Sequence, residues 1–272
     1  MAYRKGIVYF IDILGTKART SDSDGFDKSY FIADLFLKEM EGVQKRHRQT
    51  SMVDRAVFTF SDCAYIVYAL KETVEDSYEN KMRMVYQSLF NTQQVICNFV
   101  YNGFLCRGGI SYGDVYFDLN RNMIFGSAVN KAYSIESKEA IYPNIVIEKN
   151  LAEEIQSYSE NIKQNVPMSA LDGDILGYNQ NIKQYFFNYL NYFFRIGSVQ
   201  LGKSSINFEE FYNKVLQDYY SELNKYSGDT DFEKRIREKL DWHFSYLNQM
   251  KSIIDNDSFG EDDLRQLFLG NR

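Results

Sequence analysis

The stretch "IVYFIDILGT", Ile7 to Thr16, constrains the fold more than any other part of the chain. Ile7 to Ile11 is continuously apolar, β-branched and aromatic, and Gly15 closes the run, so it reads as a strand buried on both faces and therefore as the middle of a sheet. It also carries a carboxylate, Asp12, at its deep end. An unpaired carboxylate taken out of water costs on the order of several kcal/mol, so a cation, a metal or a set of donors must stand beside it.

The rest of the chain supplies the other layers. "FDKSYFIADLFLKEMEGVQKRHRQ" places Phe31, Leu35 and Met40 at helical spacing. "RAVFTFSDCAYIVYAL" reads as two short strands broken at Ser61 and Asp62, a hairpin whose tip presents Asp62. "ENKMRMVYQSLFNTQQVICNFVYNG" reads as a long helix stopped by Asn102 and Gly103. "FLCRGGISYGDVYFD" reads as two β segments turning near Gly113 and Asp114, "GSAVNKAYSIESKEA" opens a helix, and "NIVIE" is a last short strand. The order β, α, β, β, α, β describes an α+β protein with a split βαβ sheet, ferredoxin-like or palm-like, and helices on one face. Residues 1–150 form that domain; 151–272 read as a mostly helical extension packing on it or on a dimer, with a helical hairpin turning at "SGDT". Phe208, Tyr212 and Tyr219 within it read as core or dimer contacts.

In a split βαβ sheet the first strand is central and the hairpin lies beside it, so Asp12 and Asp62 approach one point. Two carboxylates held together repel unless cations neutralise them. With only two histidines, His47 and His243, both on polar segments and read as solvated, and with Cys63, Cys97 and Cys106 lacking metal-ligand spacing, the donors are oxygens and favour Mg²⁺ or Mn²⁺. Two such ions about 4 Å apart can activate one oxygen and bind phosphates. A net charge of -6 excludes a broad attraction to nucleic acid or anionic lipid. No apolar run approaches the roughly 20 residues that span a bilayer, and the N-terminus reads as a strand instead of an export signal. The odd cysteine count fits a reducing cytoplasm.

Three stretches in order, "FIDILG", "FSDCAYIV" and "CRGGISYGDVYFD...MIFGSAVNKAYSIE", resemble the metal-aspartate motifs and the arginine-strand and catalytic-helix block of the class III nucleotidyl cyclases. "AYSIESKEAIYPNIVIE" is similar to the bacterial pyrimidine cyclases of the Pycsar anti-phage systems. The resemblance implies that Asp12 and Asp62 hold two Mg²⁺ or Mn²⁺ ions with the Ile13 carbonyl. It implies that the backbone of Ile13, Leu14, Gly15 and Thr16 wraps the phosphates, that Arg107 binds the leaving pyrophosphate, and that Asn130 orients the ribose.

It also implies a homodimer with composite sites, a nucleoside triphosphate substrate (UTP first, CTP second), a cyclic mononucleotide product and a separate effector in antiviral defence. Two departures stand out. The family's transition-state arginine is replaced by Ser134, leaving Lys131, Lys17 and Arg19 as substitutes, and the base-reading lysine and aspartate correspond to Phe58 and Met123. A positioned arginine in phosphoryl transfer can be worth roughly 10³-fold or more. The apolar pair suits a smaller base. The rival readings are a purine or dinucleotide cyclase, although the hairpin reads "FSDCA" and not GGDEF, and a degenerate fold that binds nucleotide without turnover.

Overall fold

The computed structural model describes residues 3–15, 34–42, 51–165, 175–201 and 204–255. Strand β1 (Arg4–Ile13) lies between β3 (Cys63–Leu70) and β4 (Cys106–Asp118), antiparallel to both, and β2 (Val53–Phe60) pairs with β3 outside them. The order β2-β3-β1-β4 is that of a split βαβ sheet, with the opening run buried at its centre as its composition requires.

The period-2 alternation of β1 divides the interior in two. Ile7, Tyr9 and Ile11 point into the main core, and Val8 and Phe10 point into a second one. Helix α2 (Tyr78–Tyr101) covers the first face, after the short helical segment α1 (34–42). Ser77 caps α2 by accepting from the Asn80 amide at 3.3 Å, Gly103 (φ +80°) follows its end, and the Ser88 hydroxyl meets Tyr9 Oη at 2.6 Å.

The α+β class and the split sheet hold, with one addition to the expectation of helices on one face: helix α3 (Ser127–Lys138) covers the other face. Ala128, Val129 and Ala132 of α3 pack in the second core with Val8, Phe10 and Phe58. The close approach needs the glycines of "CRGG": a Cβ at Gly109 would lie 2.1 Å from the Ala132 carbonyl oxygen.

Three local readings change. β4 does not turn at Gly113 and Asp114 but runs unbroken to Asp118, because Gly113 and Asp114 stay in register with Gly6 and Lys5 of β1; the turn comes later, before β5 (Met123–Phe125). The sheet also continues past residue 150. After β6 (Ile145–Ile147), which pairs parallel to β4, and helix α4 (Lys149–Asn165), the hairpin β7 (Leu176–Asn179) and β8 (Gln184–Phe187) adds to β6. Finally, His243 is buried instead of solvated, its Nε2 sharing a 2.7 Å hydrogen bond with the Tyr189 hydroxyl. His47 lies outside the described residues.

Beyond helix α5 (Asn191–Ile196) and the small hairpin β9 (Ser198–Leu201) and β10 (Ser204–Asn207), the chain ends its described part in the expected helical hairpin. Its helices are α6 (Phe208–Lys225), opened by a capping box between Asn207 and Glu210, and α7 (Asp231–Asp255). Arg237 donates to the carbonyls of Tyr226 and Gly228 and closes the turn between them. Phe208 is buried, Tyr212 packs against the core, and Tyr219 stacks on Phe244 at 4.3 Å between ring centroids. Trp242 of α7 stacks on Tyr142 (5.3 Å, 9°), and the Tyr246 hydroxyl donates to Asn188 Oδ1 at 2.6 Å, fixing the hairpin to the sheet. Among the described residues no helix is long and apolar enough to cross a membrane.

Candidate functional site

The site is built at the strand ends where β1 stops. The two-residue turn from β2 to β3, with Ser61 at φ 53°, lays the hairpin tip against the end of β1, and the Ile13 amide donates to the Asp62 carbonyl at 3.1 Å. Asp12 sits opposite Cys63 on one side and Arg107 on the other. The register therefore brings Asp12, Asp62 and Arg107, drawn from three separate stretches of sequence, to one end of the sheet. Leu14 donates its amide to the Leu105 carbonyl at 2.8 Å, and Gly15 takes φ +81°, the left-handed conformation that lets the chain turn away there.

Two carboxylates share Arg107. Arg107 Nε donates to Asp12 Oδ2 at 3.3 Å and lies 2.6 Å from Glu136 Oε1, a contact its N–H is not aligned to make a hydrogen bond of. One guanidinium thus stands between two carboxylates, with Asp62 close by. Burial raises the Asp12 carboxyl above the ordinary aspartate range; Arg107 pulls it down and the charge of Asp62 pushes it up again. Burial likewise raises Glu136, against Arg107 and with Asp12. The Cys63 thiol reports the same field, pushed up to about 11 by burial and then by Asp12, Asp62 and Glu136.

Glu136 is the site residue that sequence reading missed. Its side chain is only 4% exposed. The signal was present in α3, where Ala128, Ala132 and Glu136 recur every four residues along one stripe, so a carboxylate occupies a position at which an apolar residue would simply pack.

The other expected residues are placed as follows. Ile13 is buried, Leu14 half-buried and Gly15 exposed; Thr16, Lys17 and Arg19 lie outside the described residues. Asn130 and Lys131 are exposed on the outer side of α3, Lys131 facing Glu139 at 3.9 Å, and Ser134 is half-buried on the same helix. Met123 is exposed on β5. Phe58 corrects its expected role: it is 1% exposed inside the second core among Ala128, Val129 and Ala132, and a nucleobase has no access to it while α3 is in place.

Among the described residues no group of three His, Cys, Asp or Glu side chains is arranged to hold a metal ion. The pair Asp12 and Asp62 nonetheless fits a hard cation, because the donors are carboxylate oxygens and their mutual repulsion is relieved by positive charge.

No family model matches the sequence, and no curated protein matches it. Among solved structures the chain is similar to the monomeric guanylyl cyclase domain of the RhoGC fusion protein from the aquatic fungus Blastocladiella emersonii (17% identity, TM-score 0.44, covering 68% of this chain and 95% of that one). It is also similar to a class III adenylyl cyclase-like ATP-binding protein from Pseudomonas aeruginosa (12%, 0.44, 64% and 48%). A third likeness is to the catalytic core of a rhodopsin-guanylyl cyclase with converted specificity in complex with ATPαS (20%, 0.42, 68% and 96%). With every identity at or below 20% and every TM-score below 0.5, the chemistry has to be read from the residues.

Proposed function

We propose that this chain is a divalent-metal-dependent nucleotidyl cyclase, acting as a homodimer, that converts a pyrimidine nucleoside triphosphate, UTP first and CTP second, into its 3′,5′-cyclic monophosphate and pyrophosphate. The observation that carries the proposal is the meeting of Asp12 and Asp62 at one strand end with Arg107 across from Asp12. Asp12, Asp62 and the Ile13 carbonyl would hold the Mg²⁺ or Mn²⁺, which when bound supplies positive charge to the triphosphate and makes the ribose hydroxyl more acidic.

The chain's own residues do the rest. The turn at Leu14 and Gly15 offers backbone at close range to the phosphates. Arg107 exchanges one of its two carboxylate partners for the departing pyrophosphate, a stronger acceptor in a bidentate geometry. The ribose 3′ oxygen forms a bond to the α-phosphorus, the bond from that phosphorus to pyrophosphate breaks, and the hydroxyl proton leaves to solvent. Asn130, exposed on α3, orients the ribose of the site whose Asp12 and Asp62 belong to the other subunit. The choice of a pyrimidine rests on the resemblance of "AYSIESKEAIYPNIVIE", since Phe58 is withdrawn into the core.

One observation favours a second reading, nucleotide binding without turnover: Ser134 stands where the family has arginine, and Arg107 is already engaged by Asp12 and Glu136. Incubation with ATP, GTP, CTP and UTP separately, each with Mn²⁺, followed by mass identification of products, separates the two. Cyclic UMP or CMP with pyrophosphate is the expected result. A purine product overturns the base class, a dinucleotide overturns the reaction, and binding without any product leaves the second reading standing. Mixing Asp62→Ala with Asn130→Ala subunits should restore activity that neither has alone; no recovery overturns the shared site.

A further inference from the structure

The helical hairpin of α6 and α7 does not stand apart from the site. Between it and the strand ends lies a cavity of about 550 Å³ whose wall includes Leu14 and Gly15 on the sheet side and Asp218, Tyr219, Lys239 and His243 on the hairpin side. Its lining is mainly apolar, so a charge inside it is poorly screened.

Lys239 is the anomalous member of that wall. It is half-buried, and among the described residues no carboxylate lies within ion-pair distance of it. The acids that share the cavity are engaged elsewhere: Lys214 donates to Asp218 at 2.6 Å, and Lys225 donates to Glu222 at 2.5 Å. The charges that do reach Lys239 are positive. Burial first, then Arg107 and Arg235, depress its ammonium below the ordinary lysine range. A half-buried cation without a carboxylate partner is held at a cost, and an anion in the cavity it shares with Leu14 and Gly15 removes it. The position is not adjustable by rigid-body drift of α7, because Trp242, His243 and Tyr246 on the same helix fix it to Tyr142, Tyr189 and Asn188.

We propose that Lys239, carried by the C-terminal helical hairpin, is a phosphate-binding residue of the nucleotide site, facing the Leu14–Gly15 turn and supplying the cation that Ser134 does not. The proposal deepens the nucleotidyl cyclase reading and rests on it for the identity of the full substrate, but the ligand chemistry it names is a polyphosphate. It also gives the extension a reason to be packed on the sheet: α7 then contributes a cation to the site.

The test uses the full chain and inorganic pyrophosphate with Mg²⁺ in a calorimetric titration, beside steady-state turnover of the triphosphate that the wild type uses. Lys239→Met keeps the alkyl stem against the apolar wall and removes the charge. It is expected to weaken pyrophosphate binding roughly tenfold or more and to raise KM, with an unchanged melting temperature, and Lys239→Arg is expected to recover most of the binding. Lys239→Gln serves as a second neutral variant should the methionine disturb folding. Wild-type affinity for pyrophosphate in a folded neutral variant, or no pyrophosphate binding by the wild type, overturns the proposal. Loss of pyrophosphate binding in the variants of a wild type that turns over no triphosphate leaves Lys239 in place and removes the cyclase reading. Turnover that is indifferent to Lys239→Met does the reverse.

Discussion

Two polar clusters stand out in this protein, one buried and one half-buried, and they are built on opposite terms. One anchors α7 to the sheet through neutral groups: the Tyr189 hydroxyl meets His243 Nε2, the Tyr246 hydroxyl donates to Asn188 and accepts from the Leu190 amide at 3.3 Å, and Gln93 donates to the Asn188 carbonyl at 3.1 Å. The other gathers Asp12 and Glu136 around the Arg107 guanidinium, with the charge of Asp62 acting on Asp12. The anchor is made of neutral groups bonded mainly to one another. In the strand-end cluster two carboxylates, Asp12 and Glu136, share Arg107, and burial works against the charge of both; sites of chemistry are where such strain is retained against stability.

The sharpest way to break this contrast is to remove a carboxylate from the charged cluster. Asp12→Ala or Asp62→Ala should cut turnover in Mn²⁺ by roughly 10³-fold or more while the protein stays folded by gel filtration and circular dichroism; retention of most activity by either variant would remove the metal assignment.

The next effect concerns the neutral cluster and pH. Burial holds the His243 imidazole down to about 4, against roughly 6.5 in an unfolded chain, so the unfolded state takes up the proton first. Stability conferred by the neutral imidazole is complete above about 6.5 and lost as pH falls towards about 4, a change of roughly 3 kcal/mol. Asp12 and Glu136, raised in the folded state, act with the other sign, their contribution being lost as pH rises through their folded values. Urea unfolding of the wild type and His243→Gln across this range isolates the histidine, and parallel curves would mean that the ring takes up its proton as readily in the folded protein as in the unfolded chain.

Tyr246→Phe tests the anchor at constant pH. It leaves the Leu190 amide and Asn188 Oδ1 without the hydroxyl and should lower stability by about 1–3 kcal/mol, with turnover at saturating substrate unchanged. A loss of activity without loss of stability would show that the anchor takes part in the chemistry. The smallest effect has the opposite direction. Asp12→Asn removes the cost of holding a charge at a half-buried position, and with it the repulsion from Asp62, and should raise stability by up to about 1 kcal/mol, measured by thermal melting, even as it removes activity. A lower melting temperature would mean that the bond to Arg107 outweighs the repulsion.

What could be read from the chain in advance was whatever is local or periodic. The run Ile7 to Ile11 has no polar position and so had to be a central strand; Ser61 and Asp62 interrupt two β patterns and so had to be a tip; Asn102 and Gly103 stop α2. With the sheet order these place Asp12 next to Asp62, and the core of the candidate site was legible for that reason. Whether a given side chain is buried, and what faces it, follows from which surfaces come together. Gly113 and Asp114 look like a turn, but pairing with β1 keeps them in a strand. Phe58 aligned with a base-reading position, yet α3 lies over it. His243 sits in a polar stretch of sequence and is enclosed because the aromatic face of α7 docks on the sheet. Glu136 and Lys239 are an ordinary exposed-type glutamate and lysine in one dimension. Only the packing of α3 brings Glu136 beside Arg107, and only that of the helical hairpin brings Lys239 into one cavity with Leu14 and Gly15, because electrostatic energy depends on distance and solvent exclusion, and neither is a property of residues counted along a chain.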